Sequence, residues 1–288
     1  RIYCPGVGDD TACLVCLLMA GKYIARHVDS PRWREIRGED APGLLLVCNA
    51  GEEGLGNLKG VRKICEDYGG RIKSFCTFDS SLSSIVDRAV GSKRFRVKVR
   101  TRGGHSYNDF GNDNAIAGLA SLVGNLYKIQ VPEGGKTTYN VGMISGGTSV
   151  NTIAQEAGML YEFRSDKREN LEYMERQFTE VLDRAKAEGM DVSFQVIGVR
   201  PCEGQVDPAQ KQALTDWAHR VVEEMTGQAP KHHAGSTDCN IPLSLGIPSV
   251  CVGSFRGAGA HTREEYVETD SLEEGYKVAF GMIFGRRD

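Results

Sequence analysis

Two carboxylates stand side by side at Glu52 and Glu53, within the stretch LLLVCNAGEEGLG that spans residues 44–56. Adjacent acids repel each other and desolvate badly at the end of a strand unless a cation lies beside them. A divalent metal ion removes both difficulties. One carboxylate can serve as ligand, while the other, left free, acts as general base towards a water held by the metal. For an isolated Glu–Glu pair, a solvated loop after a strand is the simpler account. What favours chemistry is the company the pair keeps. Asp9 and Asp10 close the turn YCPGVGDD, Asp79 follows SFCTF, Asp238 lies in GSTDCN, and His261 lies in GAGAHTREE. Carboxylates plus a histidine suit zinc or a similar divalent ion. The number of candidates fits two metals about 3.5–4 Å apart with a bridging carboxylate; a mononuclear site, with its usual three protein ligands, would leave acids over.

These residues need elements to position them. Residues 44–48 form an apolar run of the length of a buried strand, and polarity flips at Asn49. The YCPGVGDD turn leads into a helix predicted over 11–28; Asp9 or Asp10 could simply cap it. A polar loop is expected over 30–43, a helix over 58–68 and a short strand ending at Asp79. Strands alternating with helices predict a mostly parallel sheet, with Asp9, Glu52 and Asp79 at the carboxyl ends of strands, where ligands gather. Near Arg94 the character changes. FRVKVR (95–100) alternates apolar and basic residues, as a half-exposed strand does. A turn with His105, a helix over 114–129, strands over 138–144 and 159–164 around SGGTSVN, a helix over 168–188 and a strand over 191–199 follow. That order describes a ferredoxin-like module. Beyond Pro201 come a helix (208–226), a strand (247–253) and a final helix (269–284). The expected fold is α/β, a mostly parallel-sheet body over 1–93 and 201–288 interrupted by an inserted α+β ferredoxin-like module over 94–200.

Composition narrows the function classes. The 288 residues are 40% apolar and 25% charged, as in an ordinary globular protein. A net charge of -3 gives no case for nucleic acid or an anionic membrane surface. No apolar run approaches the length needed to span a bilayer. The nine cysteines are an odd number, mostly in apolar stretches, which points to reduced thiols in a cytoplasmic protein. Cys13 and Cys16 form a CxxC inside an apolar helical pattern, whereas metal-binding pairs usually sit on turns. His27, His219, His232 and His233 belong to no motif and are expected to be exposed or structural.

Taken together, GxGDD entering a helix, NAGEEGLG, FD about 26 residues on, GGHS before a helix containing NAI, and GSTD…GIP…AHTREE resemble the dinuclear zinc exopeptidases and deacylases. That family includes peptidase T, carboxypeptidase G, carnosinase, aminoacylase, acetylornithine deacetylase and succinyl-diaminopimelate desuccinylase. The resemblance runs along essentially the whole chain, in the family's order. It implies a catalytic, metal-binding body and an inserted lid or dimerisation domain. It further implies two divalent ions, zinc first among the candidates. Asp9 would bridge them, Glu53 and His261 would hold one, and Asp79 the other. Glu52 would be the general base. His105 would reach across a homodimer interface to steady the oxyanion in the partner's site, although a surface histidine in a turn is the plainer reading. Asn151 and Arg164 would bind substrate, Arg164 gripping a terminal carboxylate; a lone charge at a strand end is its alternative. The implied activity is hydrolysis of an amide in a small peptide or N-acyl amino acid, of the peptidase T or carboxypeptidase G type. A deacetylase or desuccinylase is the alternative, and a non-catalytic remnant that dimerises or binds small amides is the alternative from another class.

One departure bears on this. The family's first motif, a histidine and an aspartate one residue apart, lies upstream of the bridging aspartate and is not found here. The sequence is therefore expected to be a piece of a longer protein, with the metal site shared by Asp79 incomplete.

Overall fold

The computed structural model describes residues 1–31 and 43–284. Its main elements in chain order are α1 (Cys13–His27), α2 (Lys59–Tyr68), β1 (Phe75–Phe78), β2 (Ser84–Ala89), β3 (Gly91–Arg100), α3 (Ala115–Leu126) and β4 (Thr137–Gly146). They continue with β5 (Glu156–Ser165), α4 (Arg168–Ala187), β6 (Asp191–Arg200), α5 (Pro208–Thr226), β7 (Lys231–Gly235), α6 (Asn240–Ser244), β8 (Ser249–Val252) and α7 (Ser271–Phe284). Two compact units result: Arg1–Glu53 with Leu58–Ala89 and Glu203–Asp288, and Gly54–Asn57 with Val90–Cys202. The polar loop expected over 30–43 lies almost wholly outside the described residues.

The first unit is built on a four-stranded sheet in the order β7-β2-β8-β1. The outer pairs are parallel and the central β2–β8 pair is antiparallel. Side chains of β8 alternate between two apolar layers, which is why SVCV reads as a continuous buried run. Val250 and Val252 join Phe78 and Ile85 in one cluster with Cys13, Cys16 and Ala20 of α1, Ala218 and Val222 of α5, and Val278 and Ala279 of α7. Cys251 and Val86 face the opposite layer, with Cys239 and Leu243. Cys13 and Cys16 are core residues whose Sγ atoms approach the carbonyls of Ser80 (3.8 Å) and Ser254 (3.7 Å). Burial pushes the Cys13 thiol far up, the opposite of a reactive thiolate.

Two strands were not expected here, and one expected strand is absent. Strands β2 and β7 were not legible; β7, KHHAG, carries no apolar run and is defined by its ladder with β2. Conversely, the strand expected over 44–48 does not form. Residues 43–52 have no regular structure, and Leu44, Leu45 and Leu46 are 44%, 52% and 41% exposed. An apolar run becomes a strand only where neighbours pair its backbone, and among the described residues no strand lies beside this one. Glu52 and Glu53 thus sit on an irregular segment.

The second unit follows the expected order, β3-α3-β4-β5-α4-β6, with sheet order β4-β5-β3-β6 and every pairing antiparallel. Asn114 caps α3, its side chain accepting from the backbone N–H groups of Ile116 (2.9 Å) and Ala117 (3.4 Å). In β3 the period of two places Phe95, Val97 and Val99 inward and fully buried. Phe95 stacks on Phe178 of α4 at 4.2 Å between ring centroids, and Tyr161 on Phe178 at 5.4 Å. Three basic residues of β3 pair with acids of β5: Lys98 and Arg100 with Glu156, Arg94 with Glu162. Because β3 is flanked on both sides, it offers no free edge.

Phe178 is therefore expected to hold this unit together. Phe178→Ala leaves a cavity among three aromatic rings and should cost about 3–5 kcal/mol in urea unfolding.

Candidate metal centre

In the first unit, three side chains from distant parts of the chain converge. Asp9 lies in a π-turn, Val7–Ala12, entered through Gly6 in the left-handed region (φ 75°) and leading directly into α1. Glu53 ends the irregular segment. His261 stands on a turn with φ 66°, a conformation a histidine adopts at some cost. Its Nε2 lies 2.7 Å from Asp9 Oδ2 and 3.5 Å from Glu53 Oε1. One ligand atom from each of the three falls within 4.8 Å of the others. The hydrogen bond with Asp9, then the charge of Glu53, raises the imidazole above its ordinary pKa.

A second layer of acids stands behind them. Burial, opposed by a hydrogen bond with Cys13 and reinforced by the charges of Asp9, Asp238 and Glu52, pushes Asp10 up to about 7. Burial and the charges of Asp9, Asp10 and Glu52 push Asp79 up to about 8. Asp79 follows β1 directly, as expected, and its N–H donates to the carbonyl of Val252 on β8. Asp238 is buried and accepts from Asn49 Nδ2 at 2.8 Å. Oxygen donors at this density, with one imidazole among them, are a donor set that suits a divalent cation such as zinc.

Sequence reasoning passed over one buried carboxylate. Glu265 accepts from the backbone N–H groups of Gly6 (2.6 Å), Gly8 (2.9 Å) and Asp9 (2.8 Å). Burial drives its pKa up, yet these three donors outweigh it and hold the group below the usual glutamate value. The available signal was a Gly-rich turn with several unpaired N–H groups and a second acid in HTREE.

The remaining candidates lie in the second unit. His105 and Thr152 face each other in a short two-stranded ladder, and Ser106 N–H donates to the carbonyl of Asn151 at 3.0 Å. His105 and Asn151 are thus neighbours. The Nδ1 of His105 accepts from Tyr107 N–H at 3.3 Å, while the backbone N–H of His105 donates to Asp109 Oδ2 at 2.7 Å. Asn151 Oδ1 accepts from Ser149 Oγ at 2.9 Å. Arg164 donates twice to Glu162, at 2.8 and 3.2 Å, so the guanidinium already has a carboxylate partner. Two histidines without a motif are not idle either. In the first unit, His219 Nδ1 meets His232 Nε2 at 2.9 Å, and His232 Nδ1 meets Asp87 at 2.9 Å, linking α5 to β7 and β2.

Comparison with known proteins adds to this picture. Residues 89–190 match a family model described as a peptidase dimerisation domain. The chain is 24% identical over 282 residues to an acetylornithine deacetylase of Myxococcus xanthus, covering 94% of this chain and 69% of that protein. Among solved structures, it is similar to aminopeptidase PepT from Bacillus cereus, with a TM-score of 0.69, 22% identity, and coverage of 96% of this chain and 70% of that one. A tripeptidase from Staphylococcus aureus gives a TM-score of 0.71 at the same identity and coverage.

The crowded acids make a pH prediction. Asp10, Asp79 and His261 all hold protons more tightly in the folded chain than in the unfolded one. The folded state therefore binds more protons from the ordinary aspartate value of 3.8 up to about 8, and stability falls as pH rises across that window. Glu265, whose folded pKa is lowered, acts in the opposite direction, adding stability as pH rises towards the ordinary glutamate value of 4.5 and changing little above it. Metal-stripped protein should show a higher urea midpoint at about pH 5.5 than at about pH 8, and saturating zinc should reverse that order. Equal midpoints without metal would show that the acids are not crowded.

Proposed function

We propose that the chain, which resembles the family of zinc exopeptidases and deacylases, hydrolyses an amide bond beside a free terminus of a small peptide or an N-acyl amino acid. One observation carries the reading: Asp9, Glu53 and His261 converge from three separate segments, and Glu52 is the next residue in the chain to a ligand. In this reading Asp9, Glu53 and His261 would hold one divalent ion, with Asp9 shared with a second ion to which Asp79 would contribute. Among the described residues Asp79 joins no group of three donors, so the second ion is held by fewer side chains. When bound, zinc acidifies a water and polarises the amide carbonyl. Glu52 would act as general base towards the attacking water and return the proton to the departing nitrogen. The negative charge of Glu52 acts on both Asp10 and Asp79, which supports its presence at the same centre. His105 donates to the developing oxyanion in the site of a partner protomer. Asn151 and Arg164 bind the substrate, with Arg164 using N–H donors that Glu162 leaves available.

Glu52→Gln removes the base and keeps the size of the side chain. Turnover should fall about 10²–10⁴-fold while zinc content is unchanged. Hydrolysis at an unchanged rate would sink the mechanism. The substrate class is divided between two readings: likeness to the aminopeptidase and the tripeptidase favours peptides, and likeness to the deacetylase favours N-acyl amino acids. A panel of tripeptides and N-acetyl or N-succinyl amino acids separates them.

The proposed dimer forms through the second unit. The exposed alternation over 95–100 and the helix over 114–129 motivate that reading, and because β3 is paired on both sides it offers a face and no edge. The edge strand β4 is the better candidate. It pairs only with β5 among the described strands, and its Met143 and Ile144 are 66% and 59% exposed. The match to a dimerisation-domain model covers this strand. Light scattering at micromolar concentration should give a dimer mass, and Ile144→Asp should shift it to monomer. A monomeric parent protein would remove the role of His105 in a partner site. The reading also places the protein in the cytoplasm, supported by nine cysteines that are all unpaired thiols.

A further inference from the structure

The turn that carries Asp9 has an unusual need. Its backbone turns so tightly that the N–H groups of Gly6, Gly8 and Asp9 all point to one side, and successive N–H groups arranged in this way form a concavity that binds anions. The concavity already has an occupant. The carboxylate of Glu265 fills it, with Oε2 on Gly6 and Oε1 shared by Gly8 and Asp9. Only glycine fits the middle of the turn. A Cβ on Gly8 would stand 2.6 Å from the ring of Phe255 and 3.1 Å from Glu265 Oε1.

Glu265 sits four residues after His261, and its backbone is fixed on the carbonyl side. Its carbonyl accepts from Cys4 N–H at 3.1 Å, and the next residue, Tyr266, pairs with Tyr3 in a short ladder. One buried side chain therefore ties the segment bearing Asp9 to the segment bearing His261. The result is visible in the 2.7 Å approach of Asp9 Oδ2 to His261 Nε2. Glu265 is an anion within a centre already rich in anions. It is tolerated because its charge is spent on three N–H donors, which also keeps it from competing as a metal ligand.

We propose that Glu265 is a positioning residue: it pre-shapes the Asp9 turn and holds it against the His261 turn, so that the two donors face one cation before the cation arrives. This rests on the reading of Asp9 and His261 as metal ligands. Outer partners of ligands commonly change metal affinity 10–100-fold.

The test compares zinc affinity, by titration against a competing chelator, in the parent chain, Glu265→Gln, Glu265→Ala and His261→Ala. Gln can still accept from Gly8 and Asp9, but its amide N–H₂ opposes the N–H of Gly6. The expected order is a parent affinity at least tenfold above Gln, with Ala weaker again, while the urea unfolding transition stays cooperative. Affinity within twofold of the parent in folded Glu265→Gln would overturn the proposal. Amide hydrogen exchange on the unmutated, metal-free protein keeps the test decisive if the variants fail to fold. Gly6, Gly8 and Asp9 should be protected without zinc, and rapid exchange there would also overturn it. Zinc binding that His261→Ala leaves unweakened would sink the functional reading instead, with the amide measurement still deciding whether Glu265 organises the turn.

Discussion

Asp9, Asp10, Glu52, Glu53 and Asp79 bring five carboxyl groups into the influence of one another, with a single imidazole, His261, among them. Left to itself, such a gathering is unfavourable, since burial and like charge both penalise the ionised forms. Asp10 and Asp79 respond by holding protons up to about 7 and about 8. A bound cation reverses the sign of the problem, turning mutual repulsion into shared attraction. The architecture of the first unit follows from having to bring these groups together. The sheet and the layers of α1, α5 and α7 are ordinary core, and they exist to hold turns at fixed positions.

Turns, more than strand ends, carry the centre. Of the three acids placed at carboxyl ends of strands by the parallel-sheet argument, only Asp79 is there. Asp9 is held in a tight turn by backbone donors, and Glu52 and Glu53 lie on a segment without regular structure. This suits the proposed cation site, because irregular backbone can place donors at angles that a pleated strand does not offer.

Much of this was legible in the sequence, for reasons that differ between the two units. In the second unit, the period of two in FRVKVR, the Asn cap before α3 and the amphipathic α4 are local signals, and each element lies within a few residues of its expected place. In the first unit, the three residues that converge, Asp9, Glu53 and His261, were singled out by residue type and order. Three things were not. The strand over 44–48 required neighbours that local pattern does not report. Strand β7, with KHHAG, takes its structure from β2 and not from its own side chains. Glu265 acts through backbone N–H groups, which leave no trace in residue types beyond the glycines of GVGDD. Long-range pairing and backbone chemistry are where reading by pattern runs out.

The central claim is that Asp9, Glu53 and His261 hold one divalent cation, and the most direct test is to see it there. Crystals grown with zinc and measured on both sides of the zinc absorption edge would give an anomalous difference map. The account predicts a peak bonded to a carboxylate oxygen of Asp9, one of Glu53 and Nε2 of His261, at about 2.0–2.2 Å from each. A zinc-saturated crystal in which those three side chains keep their direct contacts, with the metal bound elsewhere, would contradict it.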